Sequence, residues 1–225
     1  MTGELTMFRS PLRGIIRPRP SQRYGKKQYL WRAGDKRSGL WLIKFGAVKT
    51  FYLNASGEEH ITGFYLPGEY IGFDELPGEC HRGYAQVTDD CTVYHLPPTA
   101  LGEFMDTCDG RRYIYQMMSG HLRLNKARFF QLTRLSAGER LAGFIYDLAV
   151  RYGFQGCAVR DFRLPMLRCD IANYIGVTPE TVTREIIKLV EAGAFMFSGR
   201  QITGLQPTIM AQRAGDMLLC RNDEP

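Results

Sequence analysis

Residues 164–193, LPMLRCDIANYIGVTPETVTREIIKLVEAG, constrain the fold of this chain more than any other stretch. Leu167, Ile171 and Tyr174 are spaced i, i+4, i+7, the period of one helix face. Gly176 breaks that period, as glycine does where the backbone must bend sharply. Thr178 offers a side-chain oxygen that can accept a first-turn N–H. Pro179 follows at the first helical position, where its missing N–H costs nothing. Val182, Ile186, Leu189 and Val190 predict the apolar stripe of a second helix, which Gly193 stops. Two short helices about one glycine turn read as a helix-turn-helix.

The second helix carries Glu180, Thr183 and Arg184 at i, i+3, i+4, away from its apolar stripe. They lie in its first two turns, the part of such a helix that enters the major groove. Arginine suits guanine O6 and N7, glutamate accepts from cytosine N4, and a threonine methyl can touch thymine. Arg168, Thr178, Lys188 and Arg200 are the candidates for phosphate contacts. After the helix, Phe195–Phe197 and Gln201–Thr203 predict two short strands around Ser198-Gly199, a hairpin wing. The plainer alternative is a helical hairpin with a solvated polar face.

The whole chain divides into five parts. Residues 1–27 hold seven Arg and Lys against one acid, Glu4, with Pro11, Pro18 and Pro20. They read as an irregular basic arm. Residues 28–107 have a β texture: short apolar runs (Tyr29–Trp31, Leu40–Ile43, Val48–Leu53, Ile61–Tyr65, Tyr70–Phe73, Tyr84–Val87, Thr92–Leu96) punctuated by Gly, Pro, Asn and Asp. That punctuation predicts a small antiparallel barrel or jelly roll, and Thr99–Phe104 one helix turn after it. Residues 108–136 carry a helical pattern from about Arg111 to Leu135. Its apolar positions Tyr115, Met118, Leu122, Phe129 and Leu132, with Asn125 among them, are spaced 3, 4, 3, 4, 3, a heptad seam. A seam this long predicts a two-helix homodimer interface, with packing on the chain's own barrel as the alternative. In 137–215, a helix over Ala137–Arg151 and a strand over Ala158–Leu164 lead into the helix-turn-helix, and Thr208–Ala214 forms a last helix. Residues 216–225 are a charged tail. The expected class is α+β.

A net charge of +6 over 225 residues permits a polyanionic partner without demanding one. No apolar run approaches the roughly 18–20 residues of a membrane span. The N-terminus has no apolar signal region, so a cytoplasmic location with reduced thiols is expected. Cysteines at 80, 91, 108, 157, 169 and 220 form no C-x-x-C pair, and His60, His81, His95 and His121 are scattered; spacing predicts no metal site. Without a glycine-rich phosphate loop, paired catalytic carboxylates or a Cys/His couple, no enzymatic function is expected.

The order β-roll, long helix, winged helix-turn-helix resembles the CRP/FNR family of bacterial transcription regulators. The matching stretches are Arg32-Ala-Gly-Asp35, Phe45-Gly-Ala-Val-Lys49, Gly57–Phe64, Pro67-Gly-Glu-Tyr-Ile-Gly-Phe-Asp74, Glu139–Phe144, Phe162-Arg-Leu164 and Asp170–Gly176, spread over roughly residues 25–215. The resemblance is closest to the FNR branch, which reads DNA with Glu-x-x-Ser-Arg. Here Glu180 and Arg184 match, and Thr183 replaces the serine. It implies double-stranded DNA as partner, a TTGAT-like half-site in an inverted repeat, and RNA polymerase as a second partner, met through loops around Phe73–Leu76.

Where the branch holds a [4Fe–4S] cluster on N-terminal cysteines and one cysteine of the roll, residues 1–79 here contain no cysteine and the roll position falls on Tyr94. No such cluster is expected. The family's nucleotide pocket maps onto Gly72, Asp74, Arg82 and Tyr84, but without its small hydroxyl residue. No cofactor is predicted; cyclic nucleotide and haem stand as minor alternatives. Asn125 replaces a residue that tends to be acidic in the branch, which implies a dimer that forms without a signal. The rival function is a small-ligand signalling β-roll whose C-terminal part contacts protein.

Overall fold

The computed structural model describes residues 20–73, 79–154 and 160–215. It divides into two compact units that part between His121 and Leu122. In the first, strands β1 (Ser21–Tyr24), β2 (Tyr29–Trp31), β3 (Leu40–Leu53), β4 (Glu59–Tyr65), β5 (Tyr70–Ile71) and β6 (Tyr84–Leu96) form one sheet. Its order is β1-β6-β3-β4, with β2 on β6 and β5 on β3, and every pairing is antiparallel. This is the expected roll.

Three details differ from the sequence reading. β3 is one strand of 14 residues and β6 one of 13, where shorter strands are expected. The Phe45-Gly46 punctuation marks a bulge, not a turn. The β3–β6 register shifts three times between Ile43 and Val48. Gly46 has φ +83°, and a Cβ there would stand 2.2 Å from the Asp90 carbonyl oxygen, so the chain stays paired while one backbone presses on the other. Second, Ser21–Tyr24 belongs to the roll and not to the basic arm, pairing with Tyr94 to Cys91. It is a polar edge strand held by backbone bonds, so it shows no apolar alternation. The arm's residues 1–19 lie outside the described residues, as do 74–78, 155–159 and 216–225. Third, Phe73 is buried against Tyr70 and His121, so it is no exposed loop residue.

The roll closes on two groups of side chains. Trp31, Trp41, Ile43, Val48, Val87 and Val93 fill one. The other, Leu40, Leu42, Tyr70, Phe73 and Leu96, is shared with Leu101 and Phe104 of α1 (Pro98–Met105) and Ile114 of α2 (Cys108–Arg134). Each fully buried leucine or isoleucine contributes about 1.5–3 kcal/mol. Past Ile114, α2 buries no further residue completely.

The second unit is built on α3 (Ala137–Phe154), whose Leu141, Ile145 and Leu148 are buried. α3 contacts α4 (Arg168–Ile175), α5 (Pro179–Glu191) and α6 (Pro207–Ala214). Strands β7 (Phe162–Arg163), β8 (Met196–Ser198) and β9 (Gln201–Thr203) form a sheet in the order β7-β9-β8. The expected strand over 158–164 is thus only two residues among those described. The wing pairs Ser198 with Gln201 around Gly199-Arg200, one residue later than read, because Phe195 is buried ahead of the strand.

α3 starts from a reciprocal cap. The Ser136 N–H donates to Glu139 Oε2 at 2.8 Å, and the Glu139 N–H donates to Ser136 Oγ at 3.3 Å. The Ser136 hydroxyl first, then its amide, hold the Glu139 carboxyl below its ordinary range. A carboxyl depressed on folding stabilises above its unfolded pKa of about 4.3, and that stability is lost as pH falls through the lower native value. Glu139→Gln is therefore expected to lower stability by about 0.3–1 kcal/mol at pH 7 and by nothing measurable near pH 2. Chemical denaturation at the two pH values checks this; an equal loss at both would place the effect in packing.

Candidate nucleic-acid interface

The turn between α4 and α5 is made by local chemistry. Gly176 ends α4 in the left-handed region, φ 68° and ψ 49°, which a side chain would strain. Thr178 Oγ1 accepts the Thr181 N–H at 3.2 Å, and Pro179 takes the first helical position. Val182, Ile186 and Leu189 are buried, but Val190 is 37% exposed and lies off the stripe. In α4 the buried side chains are Ile171, Ala172 and Ile175. Leu167 is not on that face: it precedes the helix as its N-cap residue and is exposed, its N–H bonded to Asp170 Oδ2 at 3.1 Å. Tyr174 is half-buried between Phe144 and Arg128, whose guanidinium lies 3.9 Å over its ring and bonds its carbonyl.

Glu180, Thr183, Arg184, Ile187, Lys188 and Glu191 line one open surface along α5. Glu180 and Arg184 are exposed, as a base-reading role requires. Glu180's own backbone N–H first, then the Thr178 hydroxyl, hold its carboxyl below the ordinary range, so it is an ionised acceptor at neutral pH. Thr183 is half-buried and its hydroxyl donates to the Pro179 carbonyl at 3.0 Å. Arg168 is exposed beside the wing, its guanidinium 5.4 Å from the Phe197 ring centre. Arg200 sits in the wing turn, with Nη1 buried and without a hydrogen-bond partner among the described residues.

Three residues on or beside this surface escaped the sequence reading, Glu191 among them. Glu185 pairs with both Arg184 and Lys188; the i, i+3 Glu–Lys spacing is the signal that could have found it. Ile187 is 52% exposed on the same surface, and its place one turn after Thr183 was its signal.

The heptad residues of α2 are exposed in each unit. Tyr115, Leu122 and Phe129 are 69%, 61% and 71% exposed, Met118 and Leu132 39% each, and Asn125 is exposed. Leu132 also reaches the helix-turn-helix: a Cβ on Gly176 would stand 3.5 Å from its methyl.

The effector residues are arranged differently. Gly72 packs on the Gly39 carbonyl, Arg82 is exposed, and Asp74 lies outside the described residues. Tyr84 stacks on Phe51 at 5.0 Å, and a Cβ at Gly83 would come within 3.0 Å of the Phe51 carbonyl. Gly83 stands where the pocket needs a small hydroxyl and offers none, and a Cβ there would crowd that carbonyl, so these residues do not fit a cyclic phosphate held through that hydroxyl. His81 and His95 stack on Trp31 and Trp41 with Nε2 turned to Ser38, an arrangement that does not fit a haem ligand. Cys91 is buried and its thiol is pushed up to about 12 by desolvation, which opposes thiolate ligation. Tyr94 is a β6 strand residue opposite Leu42, and no cluster of three or more His, Cys, Asp or Glu that could hold a metal occurs among the described residues.

Comparison with known proteins agrees with the two-part architecture. Residues 21–108 match the cyclic nucleotide-binding domain family, and residues 139–213 the Crp-like helix-turn-helix domain family. A β-roll followed by a winged helix-turn-helix defines a transcription regulator that binds DNA. The chain is 35% identical over 202 residues to the fumarate and nitrate reduction regulatory protein of Escherichia coli (strain K12), covering 89% of this chain and 80% of that one. The anaerobic regulatory protein of Pasteurella multocida (strain Pm70) is 37% identical over 190 residues, 84% of this chain and 68% of that one. The solved structure of FixK2 from Bradyrhizobium japonicum superposes with a TM-score of 0.79 at 27% identity, over 87% of this chain and 96% of that one. The chain belongs to the CRP/FNR family of transcription regulators, and its relatives and structural neighbours are regulators, not enzymes. No helix among the described residues is long and apolar enough to cross a membrane.

Proposed function

We propose that the protein acts as a homodimer on an inverted repeat of TTGAT-like half-sites, and does so without an FNR-type iron–sulfur cluster. The observation that carries this reading is the exposure of Glu180 and Arg184 together on the first two turns of α5. Pairing along the exposed seam of α2 sets two copies of that helix about 34 Å apart, one turn of B-DNA. Arg184 reads guanine and Glu180 accepts from cytosine, while Arg168, Thr178, Lys188 and Arg200 hold phosphates. With its hydroxyl bonded to Pro179, Thr183 meets a thymine through its methyl. Dimerisation needs no effector, because Asn125 puts no like charges across the two-fold. Bound at a promoter, the dimer acts by touching RNA polymerase.

Fluorescence anisotropy on a duplex carrying the TTGAT inverted repeat, beside a scrambled duplex, tests the reading. Equal affinity for the two rejects it. Lys188→Ala is expected to weaken binding to both duplexes alike and to flatten the dependence of log affinity on log salt by about 0.9 per recognition helix. A loss confined to the repeat would instead make Lys188 a base reader.

A further inference from the structure

Glu185 is a carboxylate on a helix that must approach a polyanion. Its Oε1 lies 3.5 Å from Arg184 Nε and 2.8 Å from Lys188 Nζ. The Glu185 side chain is 12% exposed, against 64% for Arg184 and 58% for Lys188. A carboxylate so covered is costly to desolvate unless its surroundings compensate. The two cations compensate on one side. On the other, Oε2 lies over the first turn of α3, where a Cβ on Gly138 would stand 2.9 Å from it. The positive end of the α3 dipole and its first-turn amides favour a negative charge there. Glu185 is thus seated from behind, while the two cations it pairs with extend into solvent.

We infer that Glu185 is a positioning residue that sets how well the protein distinguishes its site from other DNA. This rests on the proposal that Arg184 reads a base and Lys188 holds a phosphate. The carboxylate fixes where the Arg184 guanidinium starts and removes one positive charge from a face that would otherwise attract any duplex. Non-specific affinity follows the number of phosphates neutralised, whereas base reading depends on an oriented fork of donors. A seated acid among the cations therefore suppresses the first and supports the second.

Anisotropy of the full chain over a salt series, on the repeat and on an unrelated duplex of equal length, tests this. For Glu185→Gln, the salt slope on the unrelated duplex steepens by about 0.9 per recognition helix. Binding to that duplex tightens several-fold, and discrimination between the two duplexes falls several-fold. Glu185→Asp keeps the charge and the original slope. An unchanged slope for Glu185→Gln overturns the inference. So does an equal shift for Gln and Asp, which would mark lost packing instead of lost charge; thermal melting confirms that each variant is folded. The arm on the unrelated duplex does not depend on the half-site. Arg184→Ala with unaltered site preference rejects the base-reading assignment alone, whereas an unaltered Glu185→Gln slope rejects this inference alone.

Discussion

Phe129→Glu is expected to turn the dimer into a monomer and to cost on the order of 10²- to 10⁴-fold in affinity for the inverted repeat. Phe129 is 71% exposed in the single chain, so its ring contributes little to the fold of one copy. In the proposed dimer it would meet its own two-fold mate or a near neighbour, because a two-fold interface uses the same patch twice. The substitution therefore removes two aromatic rings and inserts two carboxylates into the same desolvated seam, where unpaired charge is costly. Losing the second half-site then makes each binding event monovalent. Sedimentation velocity and anisotropy on the repeat give the two readouts, with thermal melting of the variant unchanged. A variant that still sediments as a dimer would place the interface elsewhere.

Arg184→Ala is expected to cost about 1–3 kcal/mol of discrimination at a single guanine of each half-site. The structure explains why the loss is confined to recognition. The Arg184 side chain is 64% exposed and its ion pair with Glu185 is 3.5 Å long. Glu185, only 12% exposed, keeps its 2.8 Å pair with Lys188 when the arginine is truncated, so the carboxylate is not left uncompensated. With most of the side chain in solvent, truncation opens no core cavity. Affinities for a panel of duplexes substituted one base pair at a time show the effect as a flattened preference at one position. A panel with the wild-type profile would reject Arg184 as the reader of that guanine.

Residues close together in sequence determined most of the DNA-binding unit. The N-cap at Thr178, the proline after it, the left-handed glycine at 176 and the 3.6-residue spacing of Val182, Ile186 and Leu189 act within a turn or two of helix. Such signals need no knowledge of the rest of the fold, so the helix-turn-helix and the exposed polar face of α5 were legible. The heptad spacing of α2 was legible for the same reason.

What the tertiary structure alone decided involves partners far apart in the chain. Ser21–Tyr24 is a strand only because β6 offers it a backbone ladder some seventy residues later; its own side chains carry no apolar alternation. Gly46 reads locally as a turn, but the approach of the Asp90 carbonyl makes it a bulge. Tyr174 is held by Arg128, 46 residues earlier. Glu185 looks like one more solvated charge until Gly138 of α3 is placed behind it. Period and capping chemistry are written in neighbouring residues, whereas burial and charge pairing depend on which distant segment the fold brings alongside.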